Sequence, residues 1–273
     1  MPTQTIPAEL GEVRSLTPSA GLGVTTTPQF VLIPNGTIWI SATPRNFTTA
    51  VVCQVQLNPY LVVFKTTDNL AARANQTDYS DEANDADTST IVTLSSLSTA
   101  AANDFMFVGA LQPFRGVNID VSATNSTASA VTVKYRKSDN TWADITATDN
   151  TGGATSLAND GTVTWTVPTD WIKTSLKDAY RADAVAMAGN IKYGLTPLYW
   201  TRWQWAAGLD ASTTLLTVSA LNRSTAYEEL QSGQTFSQQV SKGIEGIGSI
   251  EVRTDAGTAN LSVTAGAGRM GFV

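Results

Sequence analysis

Alternation with a period of two residues runs through nearly the whole chain, and it constrains the fold more than any other feature. In VTVKYRK, Val131, Val133 and Tyr135 fall on one side while Thr132, Lys134 and Arg136 fall on the other. In GTVTWTVP, Val163, Trp165 and Val167 alternate with three threonines. Successive side chains of a strand point to opposite faces, so such segments read as strands with one buried and one polar face. Similar runs recur as QFVLI (29–33), TIWISA (37–42), AVVCQVQL (50–57), YLVVFKTT (60–67), IVTLSSL (91–97), DFMFVGA (104–110), PFRGVNIDVSA (113–123) and TWADITAT (141–148). PLYWTRWQW (197–205), TLLTVSAL (214–221), TFSQQVS (235–241), GSIEVRT (248–254) and ANLSVTAG (259–266) complete the set. Asn35-Gly36 and the TDAGT segment (254–258) predict hairpin turns, because these residues tolerate positive φ.

The expected fold class is therefore all-β: antiparallel β-sandwich or jelly-roll-like units, with an extended N-terminal arm and at most one short helix. The single helical candidate is the Ala-rich DAYRADAVAMAG within 171–197. Four regions follow from spacing: an arm over 1–30, a first β-rich region over 31–110, a β-sandwich module over 111–222 and C-terminal β-hairpins over 223–273. Two related β-units are suggested by a loose plan shared between 60–83 and 131–146.

Composition narrows the chemistry. The 273 residues include no histidine and one cysteine, Cys53. That removes Ser-His-Asp and Cys-His machinery, His-ligated zinc and thiolate clusters. No catalytic residue, cofactor site or metal site is assigned, and the chain is expected not to be an enzyme. Cys53, inside AVVCQV, reads as a small buried hydrophobe. The net charge of −6, from 17 bases against 23 acids, argues against a nucleic-acid partner. No apolar run suffices for a membrane span, and the first residues show no secretory signal pattern.

Three features could serve recognition. TPLYWTRWQW packs four aromatic rings and an arginine into residues 196–205. On a strand, Tyr199, Thr201, Trp203 and Trp205 share one face, with Trp142 and Trp165 as candidate partners, and a sandwich core accounts for it. Leu198, Trp200, Arg202 and Gln204 share the other, where Trp200 and Arg202 are either a cation–π pair or an interface patch. The acidic run DYSDEANDAD (78–87) carries Asp78, Asp81, Glu82, Asp85 and Asp87 and lacks the glycine of a sharp calcium loop. It reads as a solvated loop, with Asp78, Asp81 and Glu82 as candidate contacts. The stretch 176–196 and the Gly-rich end GAGRMGFV are further contact candidates.

The succession NDFMFVGALQPFRGVNIDVS, VTVKYRKSDNTWADIT, GTVTWTVPTDW and PLYWTRWQW resembles a module common in virion structural proteins of tailed bacteriophages. The matching positions are Asn103, Asp104, Gly109, Pro113, Phe114, Tyr135, Trp142, Trp165, Pro168, Asp170, Trp171, Tyr199, Trp200 and Arg202, and the likeness spans roughly 60–221. It departs in the 26 residues between Trp171 and Leu198, a longer connection than the module leads one to expect. The resemblance implies a virion component assembled in the host cytoplasm, most simply a capsid decoration (cement) protein. Its partners are then the major capsid protein or other virion proteins, and it is expected to be a homo-oligomer. A tail fibre, spike or neck adaptor, binding glycans through exposed aromatics, is the alternative. A glycosidase using loop carboxylates ranks last.

Overall fold

The computed structural model describes residues 10–47, 51–95, 97, 103–183, 187, 194–243 and 246–268. Strands follow in chain order as β1 (Leu10–Ser15), β2 (Leu22–Val24), β3 (Gln29–Leu32), β4 (Thr37–Arg45), β5 (Cys53–Pro59), β6 (Val62–Thr66) and β7 (Gln76–Asp78). After the short helix α1 (Ser80–Ala83) come β8 (Val92–Thr93), β9 (Phe105–Ala110), β10 (Phe114–Ala123), β11 (Val131–Arg136), β12 (Trp142–Asp144), β13 (Thr148–Asp149), β14 (Gly161–Thr164) and β15 (Lys173–Thr174). Helix α2 (Leu176–Ala182) precedes β16 (Leu198–Trp205), β17 (Thr214–Asn222), β18 (Glu228–Leu230), β19 (Phe236–Gln239), β20 (Ile247–Thr254) and β21 (Ala259–Gly268). The fold is all-β, with antiparallel sheets throughout the pairings described below. No described helix is long and apolar enough to cross a membrane.

The chain forms two compact units, one from residues 1–56 with 226–273 and one from 57–225. In the first, β1-β21-β4-β19 form a sheet with β2 on β21, and β18-β5-β20-β3 form another. Ile40, Ala42, Val263 and Ala265 from the first sheet and Val31, Cys53, Val55, Ile250 and Val252 from the second are all buried. Burial pushes the Cys53 thiol up to about 11, which keeps it protonated and apolar near neutral pH.

Two expectations change here. The arm expected over 1–30 is sheet over its described part: Val13–Ser15 pair with Thr264–Gly266, Leu22–Val24 with Ala259–Leu261 and Gln29–Leu32 with Ser249–Val252. The partners are about 230 residues away in sequence, so local polarity alone suggested a free arm. Residues 1–9 lie outside the described residues. The domain boundaries also differ. Residues 31–56 and 226–268 belong together, and the expected break at 110–111 falls within one unit.

Neither expected hairpin is one. β3 belongs to the four-stranded sheet and β4 to the five-stranded one, so Asn35-Gly36 carries the chain between sheets. A two-residue type I′ hairpin needs positive φ at both central residues, and here only Gly36 has it, at +78°. The bond from Thr37 N–H to Pro34 O closes a turn of type II character. The 254–258 turn likewise links β20 to β21 across the two sheets.

The second unit is a sandwich of a seven-stranded sheet, β12-β11-β16-β9-β6-β7 with β15 beside β16, and a five-stranded sheet, β13-β14-β10-β17-β8. Met106, Val108, Val133, Trp203 and Trp205 from the larger sheet meet Val117, Ile119, Val163, Val218 and Ala220 from the smaller. The expected inward face of β16 is present: Trp203 meets Trp165 edge-on at 6.1 Å, and Trp171 meets Tyr199 at 5.6 Å. The Trp165 indole N–H donates to Phe114 O at 2.8 Å, and that of Trp203 to Thr201 Oγ1 at 2.9 Å, so both polar tips are satisfied in the core. Tyr135 donates to Asp170 Oδ1 at 2.8 Å, and desolvation together with that carboxylate pushes its hydroxyl up to about 12. A true hairpin joins β11 to β12, with Asn140 at φ +63° and Asp139 accepting from Thr141 N–H and Oγ–H.

On the outward face of the smaller sheet, Asp120 and Asp160 stand one position beyond the paired Ile119 and Gly161. Asp160 Oδ1 accepts the Val121 N–H at 2.8 Å. Desolvation first, and the Asp160 charge second, raise the Asp120 carboxyl above the ordinary aspartate range. A raised carboxyl costs stability where it is ionised, and that cost disappears as pH falls through its folded-state value. Asp120→Asn is expected to stabilise the protein at pH 7 by less than about 1 kcal/mol, since the pair is partly solvated. The advantage should vanish on acidification through the Asp120 titration. Paired urea titrations against pH check this, and an advantage that persisted in acid would contradict the electrostatic origin.

Candidate functional site

The outward face of the seven-stranded sheet carries the densest concentration of chemistry-bearing side chains. Pairing of β16 with β9 sets Trp200 beside Gly109 and Arg202 beside Phe107, and pairing of β9 with β6 adds Phe64 beside Phe107. Arg136 lies opposite Trp142 on β12. Alternation thus lays Phe64, Phe105, Phe107, Trp142, Trp200, Arg136 and Arg202 on one surface. Phe64 stacks on Phe107 at 5.2 Å and meets Trp200 edge-on at 5.5 Å, while Trp142 meets Phe107 at 6.1 Å.

Helix α2, in the connection between Trp171 and Leu198, packs on part of this surface. Ser175 starts the helix as its N-cap, its Oγ accepting the Asp178 N–H at 3.1 Å. Leu176, Ala179 and Tyr180 on its underside are buried, and Tyr180 faces Phe107 at 6.3 Å. The helix begins at Leu176, two residues before DAYRADAVAMAG (178–189), where Ser175 supplies the cap, and includes the first five residues of that stretch; positions 184–186 and 188–193 lie outside the described residues.

Two guanidiniums lie on this surface. Arg136 is 0% exposed; its Nη1 donates to both Asp183 oxygens, at 2.9 and 2.8 Å, and its Nη2 to Ala179 O at 2.9 Å. Asp183 follows the last helical residue, and Ala179 O is a carbonyl of the final turn, so one side chain ties down the C-terminal end of α2 where a cation is favoured. Arg202 lies over Phe105 at 4.7 Å and over Trp142 at 5.0 Å, and burial lowers its pKa. Tyr180 donates to Asn69 Oδ1 at 2.6 Å, and its pKa is raised, chiefly by desolvation.

The sequence-predicted site residues are therefore divided. Trp200 is 0% exposed and cannot be the surface patch expected of it: it packs over Gly109 and meets Phe64 edge-on. Arg202 stacks on Phe105 and Trp142 rather than on Trp200. Trp142, expected beside Trp203 in the core, lies on this opposite face instead. Asp78 ends β7, paired across from Phe64 on β6, while Asp81 and Glu82 lie in the first turn of α1. Asp78 Oδ1 accepts from the Ser80 N–H at 3.0 Å and Oγ–H at 2.6 Å, and Tyr60 donates to Asp81 Oδ1 at 3.4 Å. Asp81 is exposed, and Asp78 and Glu82 are half-buried. Further along the same run, Asp85 accepts from Thr90 and Asp87 from Ser89, so these carboxylates serve turns. Among the described residues, no group of three His, Cys, Asp or Glu side chains could hold a metal ion.

Sequence reasoning gives Arg136, Gly109, Tyr180 and Asp183 no structural role: Arg136 reads as the outward-pointing end of an alternating strand, Gly109 only as a position of the resemblance, and Tyr180 and Asp183 only as part of the stretch 176–196. The sequence matches no protein-family model and no curated protein.

Proposed function

We propose that the chain is a structural component of a tailed-bacteriophage particle, most simply a capsid decoration protein that binds and stabilises the major capsid lattice. The observation that carries this reading is the use of the aromatic run. Trp200, Trp203 and Trp205, at 0%, 1% and 3% exposure, fill both faces of β16 with packing, which suits a rigid building block. The stretch 60–221, where the resemblance lies, falls within the unit 57–225. In this role the protein acts by shape, through repeated contacts whose avidity exceeds that of any one contact. It works as a homo-oligomer and performs no catalysis.

Purified protein is expected to bind empty mature shells saturably, with many copies per particle, and to raise the temperature at which the shells break. Copy number on a stained gel and the temperature at which the shells disrupt, with and without the protein, are the measurements. A few copies per virion, with unchanged particle robustness in its absence, would rule out the decoration role. A glycan-binding fibre working through Trp200 is disfavoured, since that indole has no exposed surface.

A further inference from the structure

Asn35-Gly36 is left over once the hairpin reading is gone, and its surroundings suit a different chemistry. It is the only asparagine followed by glycine in the sequence. Both residues are exposed, the space above Gly36 is open where a Cβ would project, and Gly36 holds φ +78°. The Asn35 side chain makes no hydrogen bond among the described residues, and neither does the Gly36 N–H; the turn is closed by Thr37 N–H to Pro34 O. Its ends belong to different sheets, so no ladder register depends on the turn's backbone.

The contrast with Asn125-Ser126 is informative, since serine is also a small following residue. Asn125 is 1% exposed and donates from Nδ2 to Thr127 O at 2.8 Å and Ser156 O at 2.9 Å. Its Oδ1 accepts from Thr127 N–H and Asp210 N–H. That carboxamide is locked, and the Asn35 carboxamide is free.

We propose that Asn35-Gly36 is a site of intramolecular self-modification, at which the protein converts its own asparagine to aspartate and isoaspartate. The Gly36 amide nitrogen, losing its proton to hydroxide, attacks Asn35 Cγ. The Cγ–Nδ2 bond breaks and ammonia leaves, closing a five-membered imide. Water then opens the ring at either carbonyl, returning a normal aspartyl link or one routed through the side chain. The second product adds one backbone atom to the corner between β3 and β4, and both add one negative charge. Glycine is required because a side chain at position 36 hinders approach of the nitrogen and the freedom of the turn.

The test holds the intact protein in mildly alkaline buffer and follows each asparagine by peptide mapping and charge by isoelectric focusing. Asn35 is expected to convert first, at least about tenfold faster than Asn125, because its neighbour lacks a Cβ and its turn is exposed. The protein should gain an acidic form, paired with twin peptides of equal mass, one resistant to cleavage at aspartate. Asn35→Gln, whose ring closure is slower and which leaves Gly36 untouched, should abolish that form without affecting folding. The proposal fails if Asn35 stays intact in the folded protein over a period in which the urea-unfolded chain converts it, or if the acidic form persists in Asn35→Gln.

Discussion

Gly109→Ala is expected to lower the unfolding free energy by about 3 kcal/mol, at the upper end of what overpacking costs. A Cβ at position 109 would lie 2.5 Å from Trp200 Cε3 and 2.6 Å from Cζ3. The indole cannot retreat, because Phe64 meets it edge-on at 5.5 Å and it is wholly enclosed. Gly109 is not in the left-handed region, so the penalty comes from collision and not from backbone strain. Urea denaturation should show a lower midpoint at unchanged slope. A double-mutant cycle isolates the cause. Trp200→Ala alone should cost about 3–5 kcal/mol, and the pair should cost clearly less than the sum, because removing the ring makes room for the methyl. Strict additivity would show that the collision is not what glycine avoids.

The second large effect is expected at Arg136. Arg136→Ala should cost about 2–3 kcal/mol, below the ~3–5 of a fully buried broken pair because Asp183 retains some access to water to solvate its charge. The Asp183 side chain is 28% exposed, against 0% for Arg136. Loss of the clamp frees the end of α2, and water then reaches the rings beneath, so tryptophan emission should shift to the red in the native state. Arg136→Lys should recover less than half of the loss. A single ammonium cannot address both Asp183 oxygens and Ala179 O as the planar fork does. Full recovery by lysine would mean that charge alone holds the helix.

The two predictions also mark where the sequence was readable. Alternation placed β10, β11, β16, β17, β20 and β21 within a residue or two, since period-two patterning is a local consequence of burying one face. It also sorted β16 correctly, with Trp203 and Trp205 facing the sandwich interior and Trp200 and Arg202 turned away. What lay over this outward face was not legible. Helix α2 opens the Ala-rich connection, whose composition named a helix but not the contact of Tyr180 with Phe107. Arg136 looked like an ordinary solvent-facing cation until Asp183, 47 residues on, met it.

Turns misled for a related reason. Asn-Gly marks a place where the chain can reverse, and the same residues serve a hairpin or a corner between sheets. The choice depends on which distant strand each arm finds, and here β3 pairs with β20 while β4 pairs with β21 and β19. The division of the chain was hidden similarly. Strands near both termini pair to build the first unit, so its components look like an arm and a set of loose hairpins when read in order.

From its residues alone this chain was committed to antiparallel strands with aromatic cores, to a thiol buried as a hydrophobe, and to chemistry without histidine or metal-binding thiolates. Composition and two-residue periodicity act on each segment separately, so they survive without knowledge of the rest. Tertiary structure decided which strands became neighbours, that strands from the early and late parts of the chain form one unit, and that Trp200 is buried against Gly109 and Phe64. Those outcomes turn on pairings between segments far apart in sequence, where many partners satisfy the same local pattern and only simultaneous packing of all of them selects one.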